Sequence, residues 1–257
     1  RGIYKDNEEN CQCSNFGSLF SMILPGKRQP GDPGAGGTAT PEKVLNYLTK
    51  HQYMGGVFLW TAFDYYGEPS PFGWPAISSQ FGIADLCGFP KDYYYYYQAN
   101  WKKEPVLHIL PHWNEEGLEI NTDGMIAVRV FSNADEVEIF VNGISFGKKI
   151  IIGCIANWEI PYQAGELKAV AYDGNQIITE AKHQTSSTIH AIRSKRIFEG
   201  KEYSLFALEA VDDHQRFVPT ANNQVTISVE NGEIVGLANG NPTNQAAYSL
   251  DHVRLFQ

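Results

Sequence analysis

From residue 125 onward the chain alternates apolar and polar residues with a period of two. MIAVRVF (125–131) and EVEIFV (136–141) put every second side chain on one face, as in strands that bury one side and expose the other. Asn142-Gly143 follows at once, a strong two-residue hairpin signal because both positions tolerate positive φ. ISFGKKIII continues the pairing, and NWEIP, ELKAVAY, Asp173-Gly174 and QIITEA repeat the pattern at the ~8–12-residue spacing of a β-sandwich. Thr185-Ser186-Ser187-Thr188 makes a linker. Beyond it, IHAIRSKRIF, YSLFALEAV, QVTISV, Asn231-Gly232 and EIVGL predict a second sandwich-like module. That module is shorter than the ~100 residues such folds use, so an incomplete domain is expected.

The first hundred residues have a different rhythm. PGKRQPGDPGAGG (25–37) is dense in Pro and Gly and predicts a surface loop. Thr40 as N-cap, Pro41 at the first helical position and Glu42 near the positive dipole end start a helix. Val44, Leu45, Tyr47 and Leu48 give it an apolar face. Gly55-Gly56 then leads into Val57-Phe58-Leu59-Trp60, a short apolar run expected to be a strand buried on both sides. Phe89-Pro90-Lys91-Asp92 opens another helix, with Tyr93, Tyr96, Tyr97 and Trp101 on one stripe. Packing of that stripe onto a sheet explains the five tyrosines better than a ligand ladder does. Helix, strand, loop, helix is the order found at the end of a (β/α)8 barrel. The expected organisation is a partial TIM-barrel segment (1–104), a β-sandwich (105–186) and a truncated Ig-like sandwich (187–257).

The net charge is −9 and no basic cluster is longer than a pair, which argues against a nucleic-acid partner. No stretch approaches the ~20 apolar residues of a membrane helix. Many of the 14 Tyr, 14 Phe and 5 Trp lie in residues 53–113, where they suit either an aromatic core or the flat faces of sugars. Cys11-x-Cys13, Cys87 and Cys154 lack zinc-ribbon spacing and imply no disulfide framework. The start at Arg1 without a Met, and the end in VRLFQ, are expected of a piece of a longer polypeptide.

Candidate chemistry gathers in WTAFDYYGEPSPFGW (60–74), at the C-terminal end of the expected strand, where barrels place their working residues. Asp64 as a base with Glu68 as an acid is one reading. Glycoside hydrolysis needs two carboxyls ~5–5.5 Å apart for retention or ~6.5–9.5 Å for inversion. Paired carboxylates usually come from different strands, so a strand-end cap (Asp64) and a loop carboxylate (Glu68), both available for binding, suit the sequence better. His108 and His112 flank Pro111, which spoils helical zinc spacing, and they are expected to be ordinary hydrogen-bonding residues. Asp212-Asp213-His214 predicts a polar turn. No metal site is expected.

GGVFLWTAFDYYGEPSPFGWPAISSQFGIADLCGFPKDYYYYYQANW resembles the end of the catalytic barrel in glycoside hydrolase family 2 enzymes of the β-galactosidase type. PVLHILPHWN, FSNADEVEIFVNGISFGKK and YQAGELKAVAYDG are similar to the sandwich that follows it, and VPTANNQVTISVENGEIVGLANGNP to the next Ig-like module. The resemblance implies a retaining enzyme with two glutamates, an acid/base and a nucleophile, on earlier barrel strands. Arg1-Gly2-Ile3-Tyr4 is similar to the segment just after the nucleophile, which implies that both glutamates lie upstream of Arg1. Trp60 matches the tryptophan that lines the sugar subsite, while Asp64, Glu68 and Trp74 are implied at its rim. The loop at 25–37 departs from the family pattern, where a Trp-Gly pair tends to precede the helix. No cofactor is implied; the implied partner is a β-galactoside or related glycan, and the parent's implied address is periplasmic or extracellular. A non-catalytic carbohydrate-binding or structural module stays open as the alternative. Within the enzyme reading, β-glucuronidase and β-mannosidase stay open too. Oligomeric state is not legible.

Overall fold

The structure is a computed structural model that describes residues 41–53, 55–56, 58–59, 61–69, 74–245 and 252–255. The loop at 25–37, the Thr40 cap, Val57, Trp60, Cys11 and Cys13 lie outside the described residues. Helix α1 runs Pro41–Lys50, with Glu42 in its first turn and Lys50 in its last, both matched to the helix dipole. Helix α2 runs Asp92–Trp101 and buries Tyr93, Tyr96, Tyr97 and Ala99. Trp101 stays on the expected stripe, its ring centroid 4.9 Å from that of Tyr97, but it is 62% exposed. The helix stops there, where Lys102 turns extended (φ −88°, ψ 151°).

The buried strand expected at 57–60 is not formed by its two described members. Phe58 is fully exposed, and neither it nor Leu59 pairs in a strand. The physical reason is a lack of neighbours: among the described residues no strand lies alongside to complete its hydrogen bonds. Leu59 packs instead against the tyrosines of α2.

Next come β1 (Leu107–Leu110), β2 (Met125–Ser132), β3 (Glu136–Val141), β4 (Ile144–Ile150), β5 (Ile155–Pro161), β6 (Glu166–Asp173) and β7 (Gln176–Gln184). They form two antiparallel sheets in the orders β1-β2-β5 and β4-β3-β6-β7. Alternation does what the sequence requires of it. Val137, Ile139 and Val141 of β3 face Ile126, Val128 and Val130 of β2 in one core, closed by Trp158 and Trp113. Each such fully buried side chain is worth about 1.5–3 kcal/mol. Trp113 Nε1 donates to Gln163 O at 2.8 Å, so its polar atom is satisfied inside the core.

The tight turn between β3 and β4 is the expected one: Asn142 (φ 50°) and Gly143 (φ 81°) both take positive φ. At its far end β2 is buried on both faces, because Phe131 points away from the sandwich core. With Leu110 it forms a second cluster under Tyr93, Tyr96 and Tyr97. The layers are therefore α2, then β1-β2-β5, then β4-β3-β6-β7.

The last region is thinner. β8 (Ala191–Glu199) and β9 (Ser204–Val211) make a hairpin, and β10 (Gln224–Thr226) pairs with β11 (His252–Arg254). QVTISV yields only the three residues of β10, and EIVGL yields no strand. β8 is exposed along nearly its whole length, since no second layer covers it among the described residues. The small core here is Ala210, Val218 and Leu255. Among the described residues no helix is long and apolar enough to cross a membrane.

Candidate functional site

The loop from 61 to 91 is held by backbone approach as much as by side chains. Asp64 N–H donates to Ala84 O at 2.9 Å, and Ser79 N–H to Tyr65 O at 2.8 Å. At Gly82 a Cβ would lie 2.3 Å from Asp64 N, so only glycine lets the two segments meet. Gly82 N–H donates to Asp64 Oδ1 at 2.7 Å, and Lys91 Nζ lies 2.6 Å from Asp64 Oδ2. Lys91 Nζ also donates to Gln80 O at 3.2 Å. Burial pushes the Asp64 carboxyl up and the Lys91 ammonium down, while their mutual attraction opposes both shifts. Asp64 is thus an internal anchor with both oxygens in use.

The other expected residues face outward. Glu68 accepts a hydrogen bond from Tyr65 Oη, and Trp74 is 78% exposed. Phe63 and Tyr66 are exposed in the same loop, so it offers aromatic surface. Trp60, the residue matched to the sugar subsite, lies outside the described residues. Asp64 and Glu68 take different partners, one inside and one at the surface. No acid/base couple joins them.

Sequence reasoning missed the contact of this loop with the last region. Ile77 N–H donates to Pro242 O at 2.9 Å, and Gln245 Nε2 donates to Pro75 O at 3.2 Å. A Cβ on Gly240 would lie 2.1 Å from Asp85 Oδ2, so the two segments touch closely there as well. GLANGNP carried the only signal, a density of turn residues, and that signal says nothing of a partner. Lys91 was equally silent, appearing only as a residue before a helix.

The histidines are hydrogen-bonded at the junction between α2 and the sandwich, as expected of them. His108 Nε2 lies 2.8 Å from Asp92 Oδ1, and its ring stacks on Tyr95 with centroids 3.9 Å apart. His183 Nε2 donates to Ile109 O at 2.9 Å. Burial lowers His112 to about 4, with His183 adding to the effect.

Among the described residues, Asp212, Asp213 and His214 bring their ligand atoms within 4.8 Å of one another. Asp212 is nonetheless committed: it accepts from the backbone N–H groups of Ser187, His214 and Arg216 and from Arg216 Nε at 2.7 Å. Burial works against its charge, but these donors outweigh burial and hold its pKa well below the usual range. The group is a satisfied polar turn.

Residues 188–257 match the family model described as glycoside hydrolase family 2 C-terminal domain 5, and residues 123–179 match a domain of unknown function, DUF4982. A beta-galactosidase of Bacteroides ovatus, BoGH2A, is 37% identical over 226 residues, covering 84% of this chain and 26% of its own length. A beta-glucuronidase of Formosa agariphila is 25% identical over 182 residues, covering 66% of this chain and 18% of its own. The crystal structure of a beta-glycosidase from Bacteroides vulgatus superposes with a TM-score of 0.77 at 30% identity, covering 85% of this chain and 28% of that one. The chain spans about a quarter of the curated galactosidase it matches. It belongs to glycoside hydrolase family 2, whose C-terminal region it carries.

Proposed function

We propose that this chain is the C-terminal part of a retaining β-glycosidase, of the β-galactosidase type, that hydrolyses O-glycosyl bonds in carbohydrates. The observation that carries this reading is the 37% identity to a beta-galactosidase, which covers 84% of this chain. In the whole protein, residues 1–104 would complete a (β/α)8 barrel, with 105–186 and 187–257 as sandwich modules behind it. Two glutamates upstream of Arg1 carry the double displacement. One attacks the anomeric carbon; the other protonates the departing oxygen and then activates water.

The residues of this chain support that chemistry without performing it. Trp60 supplies an apolar platform for the sugar, and Glu68 and Trp74 form the rim. Asp64 belongs to the same rim loop and holds it from inside through Lys91 and Gly82. A periplasmic or extracellular address suits a parent that meets glycans outside the cytoplasm. A β-glucuronidase is the second reading, favoured by the relative from Formosa agariphila.

The test is a panel of nitrophenyl β-glycosides given to the full-length parent, with product stereochemistry followed by NMR. Hydrolysis of the galactoside with retention supports the proposal; preference for the glucuronide moves it to the second reading. Turnover by the 257-residue chain alone, lost on Trp60→Ala, would contradict it.

A further inference from the structure

The contact between the 61–91 loop and the last region leaves an open cleft of about 540 Å³, within the ~300–1,000 Å³ range of small-molecule sites. Its walls include Tyr66 from the loop, and Gln224, Asn241, Gln245, His252 and Arg254 from the last region. No carboxylate lines it among the described residues.

Internal hydrogen bonds set the direction of its amides. Asn241 Oδ1 accepts from Thr243 N–H at 2.9 Å and from Thr243 Oγ1 at 2.8 Å. That leaves the Asn241 Nδ2 donor with no protein partner among the described residues. Gln245 Nε2 gives one N–H to Pro75 O, which fixes the amide and leaves its Oε1 as an acceptor. The Gln224 amide is exposed and keeps both functions. Arg254 Nη1 is tied to Asn222 O at 2.9 Å.

Fixed neutral donors beside fixed neutral acceptors match groups that both donate and accept, which is the chemistry of hydroxyls. An anion would call for more free cationic donors than one partly engaged guanidinium supplies. A purely apolar ligand would leave these amides unpaired at a cost. The half-exposed ring of Tyr66 (50%) adds the flat apolar face that a sugar ring can lie against.

We propose that this cleft binds uncharged sugar residues of a glycan, bridging the 61–91 loop and the last region. The choice of glycan as the source of the hydroxyls rests on the glycosidase reading; the amide geometry does not.

The experiment is calorimetric titration of the 257-residue chain with neutral hexasaccharides of galactose, glucose and mannose, and with a galacturonate hexamer as the charged counterpart. Saturable binding of a neutral oligosaccharide is expected, weakened about tenfold by Gln224→Ala and by Tyr66→Ala. Both variants should keep the wild-type circular dichroism. Binding of the acidic hexamer alone, binding untouched by both variants, or no binding of any neutral hexamer overturns the inference. Hydrolysis by the full-length parent is read separately. An active parent with no binding sinks only this inference, and an inactive parent with binding intact sinks only the glycosidase reading.

Discussion

Lys91 Nζ lies 2.6 Å from Asp64 Oδ2, with side chains only 16% and 4% exposed, and this pair ties the loop after α1 to the start of α2. Removing one partner strands the other charge in a dry place. Lys91→Met should therefore destabilise the chain by about 3–5 kcal/mol, while Asp64→Asn with Lys91→Met should recover part of that. Urea unfolding of the two variants measures it. A loss of less than about 0.5 kcal/mol in the single variant would show that the pair is not an anchor.

Tyr96 and Phe131 meet with ring centroids 5.3 Å apart, where α2 covers the outer face of β2. Truncating either to Ala should cost about 3–5 kcal/mol. A double-mutant cycle should return a coupling of about 0.5–1.5 kcal/mol. Additive losses would mean that the helix and the sandwich are energetically separate.

Gly165 sits at φ 134°, and a Cβ there would lie 1.9 Å from Asn142 Oδ1. That oxygen cannot swing away without loss, since it accepts from Glu166 N–H at 2.8 Å while Asn142 Nδ2 donates to Ala164 O at 3.0 Å. Gly165→Ala should cost about 2 kcal/mol through strain and the broken bonds. In Asn142→Gly the same change should cost less, because the clash is gone. Equal costs in both backgrounds, by thermal or urea unfolding, would contradict the contact.

Burial lowers His112 from the usual 6.5 to about 4. The fold favours neutral imidazole, so below about 6.5 the unfolded chain takes up the proton first. This contribution is complete above about 6.5 and is lost as the pH falls toward about 4, with an upper bound of about 3 kcal/mol. Urea midpoints between those pH values should fall for the wild type and fall less for His112→Gln. Parallel curves would assign the acid sensitivity to other groups.

Local chemistry was the legible part of this fold. Asn142-Gly143 needs only two positive φ values, and alternation alone chose the inward face of β3. Tyr93, Tyr96 and Tyr97 were legible from helical spacing, whereas the exposure of Trp101 depends on where the helix stops. Residues 57–60 illustrate the opposite limit. An apolar run specifies a buried strand only when neighbours supply pairing, and Phe58 has none among the described residues. The candidate site was legible as a loop but not in its wiring. Asp64 looks like a catalytic carboxylate until Lys91 and Gly82 arrive from beyond the next turn. Docking of Gly240 and Pro242 onto the same loop joins segments far apart in the chain, and no periodicity encodes such a meeting.

The most direct test of the glycosidase reading compares two proteins on nitrophenyl β-galactoside: the full-length parent and the 257-residue chain. The parent should turn over the substrate with retention of configuration, and the chain alone should show none. Turnover by the isolated chain, or a parent inert toward every β-glycoside in the panel, would contradict the account.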